Sequence, residues 1–193
     1  MNKNQKSDEE LVSLYISGNN NCMEMLIKRH KTRIFTSISL VVKDRYIAED
    51  IFQETFMKVI HVLQKGTYQE NGKFIAWVMR IARNLSLDHY RISKNRPIIK
   101  NSENQDIFNV IKFHEPSSLE KLVSSEENSQ LKKFIKMLPP EQLEILIMRH
   151  YGDLSFKEIA DICNCSVNTA LGRMRYAIIN LRKMMQEASL LVR

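Results

Sequence analysis

Side chains that can bind nucleic acid are concentrated between Lys73 and Arg96. Helical spacing places an apolar stripe on one side of this stretch and cations on the other. The stripe is Phe74, Val78, Ile81 and Leu85, the opposite side carries Arg80, Arg83, Leu87, Arg91 and Lys94, and between them lie Trp77, Asn84, His89 and Tyr90. Aromatic rings stack on unpaired bases, and guanidinium groups neutralise phosphates. The stretch predicts a helix that could bind single-stranded nucleic acid; the alternative is an ordinary amphipathic helix with solvated charges.

Residues 154–185 (LSFKEIADICNCSVNTALGRMRYAIINLRKMM) predict a second nucleic-acid-binding element. Ser155 and Glu158 form a capping box that starts one helix, which ends near Asn164, and Ser166 is placed to cap the next. Two short helices joined by a turn of three or four residues, with the small Ala160 at their crossing, predict a helix-turn-helix. A plain helical hairpin is the alternative.

The second helix of this motif would enter the major groove with its first turns facing base edges. Asn168, Thr169, Leu171 and Gly172 would occupy these early turns, and Arg173 and Arg175 follow one turn on, within reach of phosphates or guanines. The residues expected to contact DNA are Ser166, Asn168, Thr169, Arg173 and Arg175.

Residues 47–63 (IAEDIFQETFMKVIHVL) combine a broad apolar face with a polar face at helical spacing. The polar face carries Asp50, Gln53, Glu54 and Met57, which could dock a basic partner helix or be merely solvated. In the following QKGTYQENG, two glycines and an asparagine predict a loop. Its Tyr68 could tuck into the core or trap an unstacked base.

Charge is clustered along the 193-residue chain, whose formal net charge is +7. Residues 73–100 carry seven Lys and Arg against one Asp, and residues 131–193 carry ten Lys and Arg against six acids. Residues 101–130, between them, carry two Lys against six acids. Basic clusters of this kind attract a polyanion through counterion release.

Composition, with 44% hydrophobic and 26% charged residues, is ordinary for a soluble globular protein. There is no run of eighteen apolar residues, and the first residues lack the apolar core of a secretion signal. We therefore predict a cytoplasmic protein with no direct membrane insertion. Cys22, Cys163 and Cys165 fit a reducing compartment. Cys163 and Cys165 could be half a metal site, but with no second ligand pair at metal spacing we expect buried structural thiols.

Helical patterns on both sides of an irregular segment set the predicted architecture. Ser7 and Glu10 form a capping box at the start of the first helix. Residues 97–128 mix Ser, Asn and Glu with isolated apolar residues and Pro116, which is typical of a linker. We predict an all-α protein: two small helical domains, 1–96 and 129–193, joined by a flexible acidic linker, with the helix-turn-helix in the second.

Two blocks of this sequence resemble the bacterial sigma factors. AEDIFQETFMKV, a loop with an aromatic residue, and FIAWVMRIARNLSLDHYR resemble region two of that family, and within it the group of extracytoplasmic-function sigma factors. LPPEQLEILIMRHYGDLSFKEIADICNCSVNTALGRMRYAIINL resembles region four. The resemblance implies a subunit that directs core RNA polymerase to specific promoters and begins DNA opening.

The resemblance also implies roles for individual residues. Those implied to bind the β′ clamp helices of core polymerase are Asp50, Gln53 and Glu54. In region two, Tyr68 would capture a flipped base of the minus-ten element. Trp77, Arg80 and Asn84 would lie at the edge of the duplex where strand opening begins. Arg83 and Arg91 are further implied DNA contacts. Region four would read the minus-thirty-five element and contact the β flap, and the linker would thread toward the RNA exit path. An anti-sigma factor, often membrane-bound in this family, would hold the protein inactive, in some cases at the inner membrane.

One departure from the family pattern lies in the recognition helix. Members often carry valine-lysine-serine after its threonine, whereas this chain has Ala170, Leu171 and Gly172. The lost cation and added glycine should change the preferred sequence and reduce phosphate contact.

Two alternative functions would each require features of their own. A helix-turn-helix regulator acting without polymerase would need a dimer surface or an effector pocket. A nucleic-acid-processing enzyme would need clustered acids or metal ligands. The sequence has no phosphate-binding glycine loop and no convincing carboxylate pair, so we expect no active site, no cofactor and no small-molecule substrate.

Overall fold

The computed structural model describes residues 6–69, 72–95, 130–131 and 133–191. All regular structure in these residues is helical. The chain divides into two compact units, Met1–Gln105 and Asp106–Arg193. The predicted all-α class is confirmed, while the predicted linker, residues 97–128, lies outside the described residues.

Four helices form the first unit: α1 (Asp8–Ile16), α2 (Asn21–Val42), α3 (Arg45–Gln64) and α4 (Phe74–Asn95). Helix α2 packs against the other three, and α3 also packs against α4. The fully buried side chains between them include Leu11, Leu26, Ile34, Val59 and Val78. This helical core fixes the outward faces of α3 and α4, on which the candidate site residues lie.

Local signals set the helix starts of the first unit. Ser7 caps α1 as predicted: its hydroxyl accepts from the Glu10 N–H at 3.2 Å, and the Glu10 carboxylate accepts from the Ser7 N–H at 2.8 Å. Between α2 and α3, Lys43 adopts a left-handed conformation and Asp44 accepts from the Ile47 N–H at 3.0 Å. Side-chain caps of this kind satisfy amide groups that a helix start leaves unpaired.

Helix α1 is held to α2 by one carboxylate. Asp8 pairs with Arg29, and its other oxygen accepts from Nε2 of the buried His30 at 2.6 Å. Burial raises the pKa of Asp8, but the hydrogen bonds and positive charges of His30 and Arg29 outweigh it, so the pKa lies below its usual value. The ionised carboxylate therefore stabilises the packing of α1 on α2.

The buried side of α4 differs in part from the predicted stripe. Phe74 and Val78 are buried, but Ile81 and Leu85 are only half-buried. The other buried positions of α4 are mostly small: Ala76, Met79, Ala82 and Ser86. The hydroxyl of Ser86 donates to the Ala82 carbonyl at 2.8 Å, so the buried group is satisfied. Because α4 packs against both α2 and α3, its contact face is wider than one stripe.

Three helices with defined bounds form the second unit: α5 (Pro140–His150), α6 (Phe156–Cys163) and α7 (Val167–Leu191). They follow a short helical segment at residues 133–137, and Pro140 occupies the first turn of α5, as predicted. Helix α7 packs against both α5 and α6. The predicted second short helix of the motif is wrong in length, because α7 has 25 residues and no glycine or proline after Gly172 to end it.

Candidate nucleic-acid interface

Helix α3 presents the acidic and amide side chains outward. Asp50, Gln53 and Glu54 are exposed, and Met57 beside them is 70% exposed. They lie on the side of α3 opposite its buried residues, because Ile51, Thr55 and Val59 face the core. Glu54 pairs with Lys58 at 3.1 Å, one turn along. The surface formed by Asp50, Gln53, Glu54 and Met57, called here the α3 face, can bind a cationic, partly apolar helix.

Three aromatic rings meet where the loop after α3 enters α4. The ring centroids of Tyr68 and Trp77 lie 4.3 Å apart. The ring centroid of the buried Phe74 lies 6.5 Å from that of Tyr68 and 6.0 Å from that of Trp77. Gly66 and Gly72, with φ of +66° and +68°, supply the left-handed turns at the two ends of the loop. Tyr68 and Trp77 are half-buried, so each keeps part of its ring surface in solvent. An unpaired base could stack on this exposed ring surface.

The cationic side of α4 starts beside these rings. Arg80, Asn84 and Arg91 are exposed and follow Trp77 at spacings that keep them on one face of the helix. Arg91 forms an exposed ion pair with Asp88, with 3.5 Å between the guanidinium nitrogen and the carboxylate oxygen. Arg83 is half-buried at the flank of this face. The side chain of Lys94 lies outside the described residues. The structure thus joins a stacking surface, an amide and two exposed guanidinium groups on one helix.

The second unit contains the predicted helix-turn-helix. Helix α6 starts with the Ser155–Glu158 capping box and ends at Cys163, after which Asn164, with a left-handed φ of +53°, turns the chain. The N–H of Cys165 then donates to the Ala160 carbonyl at 3.0 Å. Ala160 itself is buried, and its place at the helix crossing stays a prediction.

Helix α7 presents its first turns to solvent. Asn168, Thr169 and Arg175 are exposed, whereas Arg173 is half-buried. The hydroxyl of Ser166 accepts from the Thr169 N–H at 3.0 Å, so it caps α7. Its role as a DNA contact remains a prediction, as do the roles of the other site residues.

In comparison with known proteins, both units match regions of one family. Residues 26–96 match the family model of sigma-70 region 2, and residues 129–171 match that of sigma-70, region 4. The ECF RNA polymerase sigma factor BldN of Streptomyces coelicolor is 31% identical over 153 residues, which are 79% of this chain and 56% of BldN. The RNA polymerase sigma-H factor of Pseudomonas aeruginosa is 26% identical over 174 residues, covering 88% of this chain and 89% of that protein. The chain belongs to the extracytoplasmic-function sigma factors of the sigma-70 family.

A solved sigma factor has the same fold. The structure of RpoE in complex with the anti-sigma factor NepR, from Bartonella quintana, matches with a TM-score of 0.62 at 20% identity, covering 84% of this chain and 96% of RpoE. Two matched regions in their family order identify this chain as an RNA polymerase sigma factor and disfavour a regulator that works without polymerase.

The cysteines of this sigma factor, which the sequence left as a possible half of a metal site, lie in or beside the helix packing. Cys163 and Cys165 are half-buried, so the prediction of buried thiols there is wrong, and only Cys22 is buried. The thiol of Cys163 lies 3.9 Å from the sulfur of Met148, in the contact of α6 with α5. Within the part of the chain that the structure describes, no three His, Cys, Asp or Glu residues are grouped to hold a metal ion. No described helix is both long and apolar enough to cross a membrane.

Sequence reasoning missed two features of the sigma factor's site. Phe74 was assigned only to the core, but its ring also contacts Tyr68 and Trp77. Val167 starts the recognition helix as an exposed apolar side chain. For Val167 a signal existed, because a branched apolar residue directly follows the capping Ser166 at the outer face of a helix-turn-helix.

Proposed function

We propose that the two units of this sigma factor divide the work of initiation between them. The first unit binds core RNA polymerase through the α3 face and opens the minus-ten element through Tyr68 and α4. The second unit binds the minus-thirty-five element through the first turns of α7 and contacts the β flap. The observation that carries this proposal is that one small unit presents an acidic helix face and, separately, an aromatic and cationic helix.

The α3 face is the proposed polymerase contact. Its residues Asp50, Gln53 and Glu54 are exposed and present two carboxylates and one amide on one side of a rigid helix. Such groups attract basic side chains at long range and hydrogen-bond to them at short range. The exposed Met57 adds an adaptable apolar contact at the same place. The β′ clamp helices are the proposed partner.

Strand opening is assigned to the rings and cations of α4. Extruding a base costs about a few kcal/mol, and stacking on an aromatic ring returns about 1–3 kcal/mol per base. Tyr68 and Trp77 offer this stacking, Asn84 can hydrogen-bond to a base edge, and Arg80 and Arg91 can hold the backbone. Arg83, at the flank, is a further proposed phosphate contact.

Recognition of the upstream element is assigned to the helix-turn-helix. Asn168 and Thr169 lie exposed in the first turn of α7, where a recognition helix meets base edges. Arg175 follows on the same outer surface, and Arg173 lies at its flank, within reach of phosphates or guanines. Ser166 closes this surface at the helix start.

Regulation and chemistry complete the proposal. Phosphoryl transfer belongs to the polymerase, and this chain itself carries no active site and uses no cofactor or small-molecule substrate. RpoE of Bartonella quintana was solved with an anti-sigma factor, and we propose an anti-sigma factor as a partner here too. The protein would act in the cytoplasm at the nucleoid, and it would be held at the inner membrane where that partner is membrane-bound.

A double variant on the α3 face tests the polymerase contact. Asp50→Asn with Gln53→Ala should weaken binding to core polymerase about tenfold or more, because residues that matter at an interface each contribute about 1–2 kcal/mol. Binding is measured by competition with the wild-type chain for core polymerase. Glu9→Gln is the matched control, since Glu9 is an exposed acid on α1. Equal binding of the double variant and the control would contradict the proposed contact.

A further inference from the structure

Two apolar side chains are exposed in the first turns of the recognition helix. Val167 is 41% exposed and Leu171 is 44% exposed. They are four residues apart, so they lie next to each other on one side of α7. The exposed polar residues Asn168 and Arg175 lie beside them on the outer surface of the helix, whereas the exposed Thr169 lies further round it. A small apolar patch is therefore set into the surface that faces the major groove in the proposed function.

Gly172 follows this patch and has no internal packing reason to be glycine. A Cβ added at Gly172 would meet nothing within 4 Å. Glycine inside a helix lowers the stability of that helix relative to alanine. The absent side chain instead leaves room outside the helix, where another backbone or a base edge can approach closely. Gly172 would let α7 sit deeper in a groove and bring Leu171 nearer to the bases.

The chemistry of the groove supplies one matching group. Among the base edges in the major groove, thymine alone carries an apolar substituent, its C5-methyl group, and apolar side chains contact it. We propose that Val167 and Leu171 form an apolar patch that reads thymine methyl groups in the upstream promoter element. This inference rests on the proposed function and adds the base for which these two residues select.

The setting of the patch favours DNA over a protein as its occupant. Val167 and Leu171 stand in the first turns of α7 beside Asn168 and Arg175, whose groups suit bases and phosphates, whereas the exposed Ile178 and Ile179 lie about two turns further along the helix. Arg175, four residues after Leu171 and therefore next to it on the same side of α7, is a cation. A cation at this place suits a polyanionic duplex.

Removing single methyl groups from DNA tests the inference. The probe is a promoter duplex at which the sigma factor and core polymerase start transcription, mapped after overexpression. Each thymine of its upstream element is replaced in turn by deoxyuridine, which lacks only the methyl group. For at least one position, affinity of the complex should fall about threefold to fivefold, the effect of exposing one buried methyl group.

Combining the DNA replacement with a substitution of Leu171 then shows whether the loss of affinity comes from contact with this side chain. With Leu171→Ala the total affinity should fall, and the same deoxyuridine replacement should have little further effect, because the side chain that contacts the methyl is gone. Met185→Ala is the matched control: Met185 is 49% exposed on the same helix but lies far from its first turns. The control should keep the full deoxyuridine effect.

Three results would overturn the inference while leaving the sigma function intact. In the first, the wild-type chain directs transcription from a promoter, but deoxyuridine in place of any upstream thymine leaves affinity unchanged. In the second, deoxyuridine lowers affinity as much in Leu171→Ala and Val167→Ala as in the wild type. In the third, Leu171→Ala no longer binds core polymerase, which would assign the patch to a protein partner. Failure of the wild-type chain to direct initiation at any promoter would instead overturn the proposed function, and the inference with it.

Discussion

Replacing Gly172 with alanine should stabilise the second unit and weaken its binding to promoter DNA. An interior glycine costs a helix about 0.8–1.0 kcal/mol relative to alanine. A Cβ at this position meets nothing within 4 Å, so no clash reduces that gain. A stabilisation of about 1 kcal/mol raises the melting temperature of a domain of 60–100 residues by about 4–8 °C.

The same methyl group should act in the opposite direction on DNA. If α7 enters the groove with Gly172 against the bases, the added carbon crowds a packed contact, which costs about 1–3 kcal/mol. Affinity of the polymerase complex for its promoter should then fall about fivefold to 150-fold, since each 1.4 kcal/mol is a factor of about ten. Calorimetry of the full chain measures the first effect, and promoter binding measures the second.

Gly172→Ala should therefore raise the melting temperature and lower the affinity for promoter DNA. A variant that is more stable and binds promoter DNA as well as the wild type would refute the close approach at Gly172. A variant that is less stable would refute the conclusion that the space around Gly172 is open. Met185→Ala serves as the control for a change on α7 outside its first turns.

Three further predictions concern other parts of the molecule. Asn84→Ala should leave core polymerase binding intact and slow promoter opening, measured by the fluorescence of a base analogue in the minus-ten element, while a promoter with that region already unpaired should be nearly unaffected. Arg173→Ala should weaken binding to the preferred upstream element more than to unrelated duplexes; an equal loss on all sequences would reassign Arg173 to phosphate contact. Asp8→Asn should lower the melting temperature at neutral pH. Because the folded-state pKa of Asp8 lies below its usual value, the contribution of Asp8 to stability is full above that usual value and is lost as pH falls through the folded-state pKa, so the difference from the wild type should shrink in acid.

The helix starts could be predicted from sequence because their chemistry is local. A capping box joins residues three apart, so Ser7 with Glu10 and Ser155 with Glu158 were recognised without tertiary information. The outward α3 face followed from helical period alone, since Asp50 and Gln53 lie opposite the buried Ile51 and Thr55.

Contacts between distant residues could not be predicted in this way. Nothing in the sequence pairs Asp8 with His30, 22 residues away, because the contact depends on how α1 packs against α2. The contact between the rings of Tyr68 and Trp77 depends likewise on the path of the loop before α4. Periodicity also misplaced part of the buried side of α4, because α4 packs against two neighbouring helices and buries residues such as Ser86 outside the predicted stripe.

For the site, too, the sequence predicted residue types and spacing, whereas side-chain exposure required the structure. Residue types and spacing predicted which side chains could bind DNA, and the structure adds which of them are exposed together. It separates the exposed Arg80 and Arg91 from the half-buried Arg83, and it shows the Ser166 hydroxyl occupied in capping α7. The sequence alone did not distinguish these positions because side-chain exposure is a tertiary property.

Transcription in vitro shows whether the chain directs promoter selection by RNA polymerase. Purified core RNA polymerase without any other sigma factor is mixed with this chain and fragments of the genome that encodes it, and the 5′ ends of the transcripts are mapped. We expect starts at a limited set of sites that share two sequence elements upstream, and none when the chain is omitted. Tight binding of the chain alone to duplex DNA, with no chain-dependent starts, would show that the chain does not act as a sigma factor.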